Sequence, residues 1–170
     1  TKDISEAQGL LLPIGISGSG KSTYIDQLAA DNSNVVVVSP DAIRRELTGD
    51  VSDQTRNKEV FKIAHERAAA AIRDNKLVVF DATNTQQYGA FGRLSLIQSI
   101  EKLADKSFRT YYKTFEVDPN TAMQRVQSAI NNGVDRAETP GFVIQRQFDQ
   151  FEKDKNNLEG LVSIDEGIFY

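Results

Sequence analysis

Eight consecutive residues, Gly15-Ile16-Ser17-Gly18-Ser19-Gly20-Lys21-Ser22, have types and spacing that can do chemistry together. They fit the pattern G-x-x-x-x-G-K-S/T. Its glycines let the backbone wrap closely around an anion. Successive N–H groups and the positive end of a following helix then bind it. Lys21 can reach the β- and γ-phosphates of a nucleotide, and the Ser22 hydroxyl can ligate Mg²⁺. The phosphate cradle is read as Gly15, Ser17, Gly18, Ser19, Gly20, Lys21, Ser22 and Thr23. Such a loop needs a strand before it and a helix after it. The apolar run Leu10–Ile16 and the face Tyr24, Leu28, Ala29 supply both. That context disfavours the plain alternative, a Gly/Ser-rich turn with a surface lysine.

This P-loop pattern serves GTPases, motor ATPases and kinases of small molecules or nucleic acids. The guanine-reading N-K-x-D pattern is absent, because Asn75-Lys76 is followed by Leu77-Val78. ATP with Mg²⁺ is therefore the expected donor. With no second ATPase subdomain in 170 residues, a compact phosphotransferase is expected.

Two acids stand where the rest of such a site would be. Val35-Val36-Val37-Val38-Ser39 runs into Pro40-Asp41. A carboxylate at the end of that strand can take the proton of an attacking hydroxyl and aim its oxygen at the γ-phosphorus. Arg44 lies one helical turn on and shares a face with Asp41. A guanidinium there suits a second phosphate on the acceptor. The plainer reading makes Asp41 a helix cap and the arginines a solvated face. Leu77-Val78-Val79-Phe80 ends in Asp81, placed to hold Mg²⁺ through water. The polar turn Ala82-Thr83-Asn84-Thr85 either lines the acceptor pocket or caps the next helix.

Strands are expected over Leu10–Ile16, Val35–Ser39, Leu77–Asp81, Phe108–Val117 and Leu161–Ile164. Several are unbroken Val/Leu/Ile runs, as in parallel strands covered on both faces. Helical stripes lie between them. Val60, Ile63, Ala64, Ala68, Ala71 and Ile72 mark a helix over roughly Asp53–Asn75, and Phe91, Leu94, Ile97, Ile100 and Leu103 mark another. Asp118-Pro119 and Thr139-Pro140 each put a capping side chain before a helix-starting proline. The order β-α-β-α-α-β-α-β-α-α-β implies an α/β, mainly parallel, open sheet of five strands with helices on both faces. Ligands of such sheets bind beyond the carboxyl ends of the strands.

The P-loop, Asp41-x-x-Arg44, Asp81-x-Thr83-Asn84 and an arginine-bearing stretch before a Pro-initiated helix resemble the bacterial and bacteriophage polynucleotide 5′-kinase family. The resemblance spans about Leu10 to Asp154. It implies a P-loop NTPase fold with a small helical lid at about 125–140. It also implies transfer of the ATP γ-phosphate to a 5′-hydroxyl end of DNA or RNA in end repair. Lys21, Asp41 and the lid arginine Arg136 would be catalytic, with Arg125 and Arg136 on the donor nucleotide and Ser22 and Asp81 on the metal. Arg44 would hold the acceptor's 3′-phosphate, and Thr83, Asn84 and Pro140 would line the acceptor site. Arg125 matches the first lid arginine on the donor. The position one turn later, Ala129, is not basic, and Arg136 stands further on. Pro140 would be a ledge against the terminal base.

The family often sits beside phosphatase or ligase modules. Neither a D-x-D-G-T signature nor a ligase lysine motif is evident here, and the chain starts without Met. A single kinase domain over residues 1–170 is the expectation, consistent with a piece of a larger end-repair protein. Competing readings are a kinase of a sugar, nucleoside or aminoacyl group and a nucleotide-gated binding module.

A net charge of −4 argues against gripping nucleic acid along its length, since that needs many Lys/Arg–phosphate contacts. Any contact should be weak and confined to a strand end. The chain has no cysteine, which excludes disulfides and thiolate zinc sites. Leu10–Ile16 is too short to span a bilayer. A soluble cytoplasmic protein with no membrane partner is expected. His65, the one histidine, reads as structural; Tyr111-Tyr112 read as core or sheet surface, and Asp149–Lys155 as a solvated helix face.

Overall fold

The unbroken apolar runs become the centre of the sheet in the computed structural model, which describes residues 3–134 and 139–166. Strand β1 (Gly9–Ile14) and strand β3 (Leu77–Phe80) are buried along their whole length. With β2 (Val35–Val38), β4 (Thr110–Thr114) and β5 (Val162–Ser163) they form one sheet, in the order β2-β3-β1-β4-β5. Every pairing is parallel, with Leu10 opposite both Val78 and Thr110. The expected five-stranded α/β P-loop architecture is what the chain adopts.

Six α-helices lie between these strands among the described residues. They are α1 (Lys21–Asp31), α2 (Pro40–Thr48), α3 (Asn57–Arg73), α4 (Arg93–Ala104), α5 (Pro119–Asn131) and α6 (Gly141–Asp154), with 3-10 turns at Ile4–Glu6 and Ile164–Glu166. Side chains alternate along β1, so Leu10, Leu12 and Ile14 face one way and Leu11 the other. The first set packs with Val60, Ala64 and Ala68 of α3, Ile100 of α4, Val126 of α5 and Ile144 of α6. Leu11 packs with Ile25 and Leu28 of α1 and with Tyr111. Both faces of the sheet are thereby covered.

Each strand ends before its apolar run does, and three helices differ from the sequence expectation, each for a local reason. Helix α3 starts at Asn57 rather than near Asp53, because the Asp53 carboxylate accepts from the Thr55 N–H (2.9 Å) and hydroxyl (2.6 Å). That turn competes with helix. Helix α4 starts at Arg93, and its inward series is Arg93, Leu96, Ile100 and Ala104. Phe91 lies in the turn before it and is exposed. The rotation follows from Arg93, whose guanidinium is buried and donates to the carbonyls of Asn84, Asp154 and Asn157. Helix α6 starts at Gly141, so Pro140 is its cap residue and not its first helical one. Helix α5 starts as expected, with Asp118 Oδ1 accepting from the Thr121 N–H at 2.9 Å.

Candidate active site

Strand β1 delivers the chain into the phosphate loop, and α1 begins at its lysine. The Gly15 N–H donates to the Thr83 carbonyl at 3.0 Å, which fixes the loop's start to the turn after β3. The Ser17 N–H donates to Gln147 Oε1 of α6 at 2.9 Å. Gly18 has φ +81°, and a Cβ there would lie 2.4 Å from the Ala122 carbonyl of α5. Only glycine allows both that conformation and that approach. Gly20 caps α1 at φ +102° with open space above it. Lys21 folds back over the loop, and its ammonium donates to the carbonyls of Gly15 (2.6 Å) and Ile16 (3.0 Å). This fixes the charge at the mouth of the loop. Ser22 and Thr23 are exposed in the first turn of α1, where N–H groups and the helix dipole favour an anion.

The loop is one wall of a cleft of about 430 Å³. Asp41, the second residue of α2, also lines it, two residues after the cap Ser39, whose Oγ accepts from the Ala42 N–H at 3.2 Å. Asp81 closes β3, and its N–H donates to the Val38 carbonyl at 2.9 Å. The cleft is thus lined by Lys21, Ser22, Asp41, Asp81 and Thr83 together with Ser17, Gly18, Ser19, Gly20, Thr23, Arg125 and Thr139. Arg125 comes from α5, and its Nη1 donates to the Gly18 carbonyl at 3.2 Å.

Four expected site residues are not in that lining. Gly15 lies beneath the loop. Arg44 is buried at the α2–α3 seam. Its Nη1 meets Asp41 Oδ1 at 2.5 Å, and Nε and Nη2 donate to Asn57 Oδ1 at 3.1 and 2.8 Å. The arginine that lines the cleft is its neighbour, Arg45. Asn84 is buried at φ +52°, and its Nδ2 donates to the carbonyls of Pro13, Phe80 and Ala82. It replaces the pairing that strands β1 and β3 can no longer supply past Leu11–Val79, which is a structural task. Pro140 is exposed at the start of α6, beside the cleft residue Thr139. Arg136 lies outside the described residues.

The donor set fits Mg²⁺. The Ser22 hydroxyl and the Asp81 carboxylate share the cleft, and both are hard oxygen ligands. Among the described residues no cluster of three or more His, Cys or acidic side chains could hold a metal alone. Mg²⁺ characteristically takes one or two protein oxygens plus substrate phosphates and water.

Sequence reasoning missed three residues that set this geometry. Arg93 and Asp154 are both buried. Asp154 Oδ2 accepts from the Gln87 N–H (2.9 Å) and Gln150 Nε2 (2.6 Å), and Oδ1 from Asn157 Nδ2 (3.0 Å). Burial opposes the Asp154 charge, but these donors and Arg93 hold its carboxyl below the usual range. Gln147 is the third. All three act across long stretches of chain, so local spacing carries no sign of them. His65 is half-buried, with Nδ1 2.8 Å from Ser99 Oγ. Tyr111 is in the core.

A family model described as an AAA domain matches residues 10–153. No curated protein matches the chain in sequence. Among solved structures, a chain of the Pnkp1/Rnl/Hen1 RNA repair complex is similar at TM-score 0.72 and 21% identity, covering 91% of this chain and 47% of that one. A candidate kinase from Chloroflexus aurantiacus gives 0.62 and 15%, covering 96% and 90%. A gluconokinase from Sinorhizobium meliloti 1021 gives 0.53 and 16%, covering 92% and 81%. At these identities the likeness is one of fold. The chain spans about half the length of the repair-complex protein it matches. No helix among the described residues is long and apolar enough to cross a membrane.

Proposed function

Since this chain belongs to the AAA domain family, with the P-loop and an acid lining one cleft, we propose that it is an ATP-dependent kinase whose acceptor is the 5′-hydroxyl end of DNA or RNA. The observation that carries the reading is Asp41, a carboxylate at the start of α2 that lines the same cleft as Lys21 and Ser22. A carboxylate in that lining is the group that takes a proton from an attacking hydroxyl.

The acceptor 5′-hydroxyl gives its proton to the Asp41 carboxylate as its oxygen attacks the γ-phosphorus. The new O–P bond forms as the bond to the β-phosphate oxygen breaks, and ADP leaves. Lys21 meets the charge that develops on the transferred group, and Arg125 meets it from the α5 side. Mg²⁺, when bound by Ser22 and Asp81, neutralises phosphate oxygens. Arg44 holds Asp41 in place through Oδ1, and Arg45 meets the acceptor's first phosphate. Arg136 and Pro140 complete the donor clamp and the base ledge. The likeness to a chain of an RNA repair complex supports a place in nucleic-acid end repair, beside phosphatase or ligase modules.

The test is mass spectrometry of a 5′-hydroxyl oligonucleotide incubated with the protein, ATP and Mg²⁺. The expected product is heavier by one phosphate at the 5′ end, and Asp41→Ala lowers its rate by at least about a hundredfold. A wild-type protein that leaves every DNA and RNA oligonucleotide unchanged overturns the reading.

A further inference from the structure

A second hollow, of about 180 Å³, opens beside the cleft at the end of β3. Phe61 and His65 of α3, Phe80 of β3 and Phe91 from the turn before α4 are among its walls. Ala82 and Thr83 line both this hollow and the cleft, so the two adjoin. Phe91 sits on the rim, 68% exposed. Its ring and that of Phe61 form a T-shaped pair at 5.2 Å between centroids. His65 meets Phe80 in the same way at 6.1 Å. Burial lowers the pKa of His65, so its ring is an uncharged wall at neutral pH.

Size, chemistry and position narrow the ligand. At 180 Å³ the hollow is smaller than the roughly 300 Å³ at which whole-ligand pockets begin, so it takes one ring system of a larger molecule. No Lys, Arg, Asp or Glu lines it, in contrast to the cleft, so it does not suit a phosphate or a sugar acid. Aromatic rings offer π-faces and edges to another flat ring. The hollow is built from α3 and the turn before α4, on the β2–β3 side of the P-loop that also carries Asp41. Arg125 and α5, which follow β4, lie on the other side. A ring entering here therefore belongs to the acceptor and not to ATP. In a nucleotide, one ribose separates the 5′-oxygen from the base.

We propose that this hollow binds the nucleobase of the acceptor's 5′-terminal nucleotide, with Phe91 as its stacking surface. The proposal rests on the polynucleotide-kinase reading above and moves the terminal base from the Pro140 ledge, which is not in this lining, into the hollow. Stacking tolerates any base, because every base has a π-face. Thr83 and Asn84 also line the hollow, and the Asn84 amide nitrogen is already held by three carbonyls, so little base selectivity is expected.

The experiment compares two 5′-hydroxyl oligonucleotides that differ only in the first nucleotide, one ordinary and one abasic. For the wild type, the abasic end should raise KM by about five- to a hundredfold, the range of a lost base–aromatic stack, with kcat much less affected. Phe91→Ala should raise KM for the ordinary end to a similar extent and add no further penalty on the abasic one. Phe91→Trp should restore discrimination. Phe91 is exposed, so the fold tolerates the change, and a thermal melt checks this. Equal wild-type KM values for the two ends overturn the subsite while the kinase reading stands. So does full abasic discrimination in Phe91→Ala. A wild type that phosphorylates neither end removes the kinase reading and this subsite with it.

Discussion

Arg44 and Arg45 are adjacent in sequence and opposite in surroundings. The D-x-x-R spacing correctly puts Asp41 and Arg44 on one face of α2, and the two side chains meet. Spacing alone does not say whether that face meets the cleft or another helix. The answer lies with Asn57 on α3, which accepts from Arg44 twice. Truncating the two arginines should therefore have different effects. Arg44→Ala leaves buried polar groups without partners and should cost about 1.5–3 kcal/mol, or roughly 3–10 °C in Tm, since exposed Asp41 adds little. Arg45→Ala should leave Tm nearly unchanged and raise KM for the acceptor several-fold. Melting curves and acceptor kinetics on the pair check both outcomes. Thr83 and Asn84 teach the same lesson. Thr83 lines the cleft as the D-x-T-N turn suggests, whereas the Asn84 amide is consumed in tying the ends of β1 and β3 together.

At the scale of elements, α6 links the site's parts. Gln147 holds the P-loop at Ser17, and Asp154 holds the turn before α4 at Gln87. The Asp149–Lys155 stretch reads as a solvated face, and for Lys153 and Glu152 it is one. Asp154 departs from it because its partners Gln87 and Arg93 come from over sixty residues away in sequence. Its carboxyl is held below the ordinary value, so its contribution to stability is full above the unfolded carboxylate pKa and is lost as pH falls through the folded one. Asp154→Asn should lower Tm by roughly 5–10 °C at pH 7, because an amide donor replaces an acceptor facing N–H groups. That deficit should stay constant from about pH 8 to pH 5 and shrink below about pH 4. Gln147→Ala should weaken ATP binding a few-fold and leave acceptor KM alone, as titration calorimetry and kinetics would show.

For the whole molecule, the alternation of apolar runs and helical stripes made the α/β class and the element order legible. The strand order β2-β3-β1-β4-β5 was not, because neighbours in a parallel sheet are chosen by contacts between distant segments. The net charge of −4 sets how such a molecule meets a polyanion. With contact limited to one or two phosphates of a single strand, log KM should rise with log salt at a slope of about 0.7–1.4. A steep slope would mean a long track of phosphate contacts. The most direct test of the central claim is the destination of the γ-phosphate. The protein, labelled ATP and Mg²⁺ are given a 5′-hydroxyl oligonucleotide and gluconate in one mixture. The account predicts label at the oligonucleotide's 5′ end, lost in Asp41→Ala. Label on gluconate, with the oligonucleotide untouched, would contradict it.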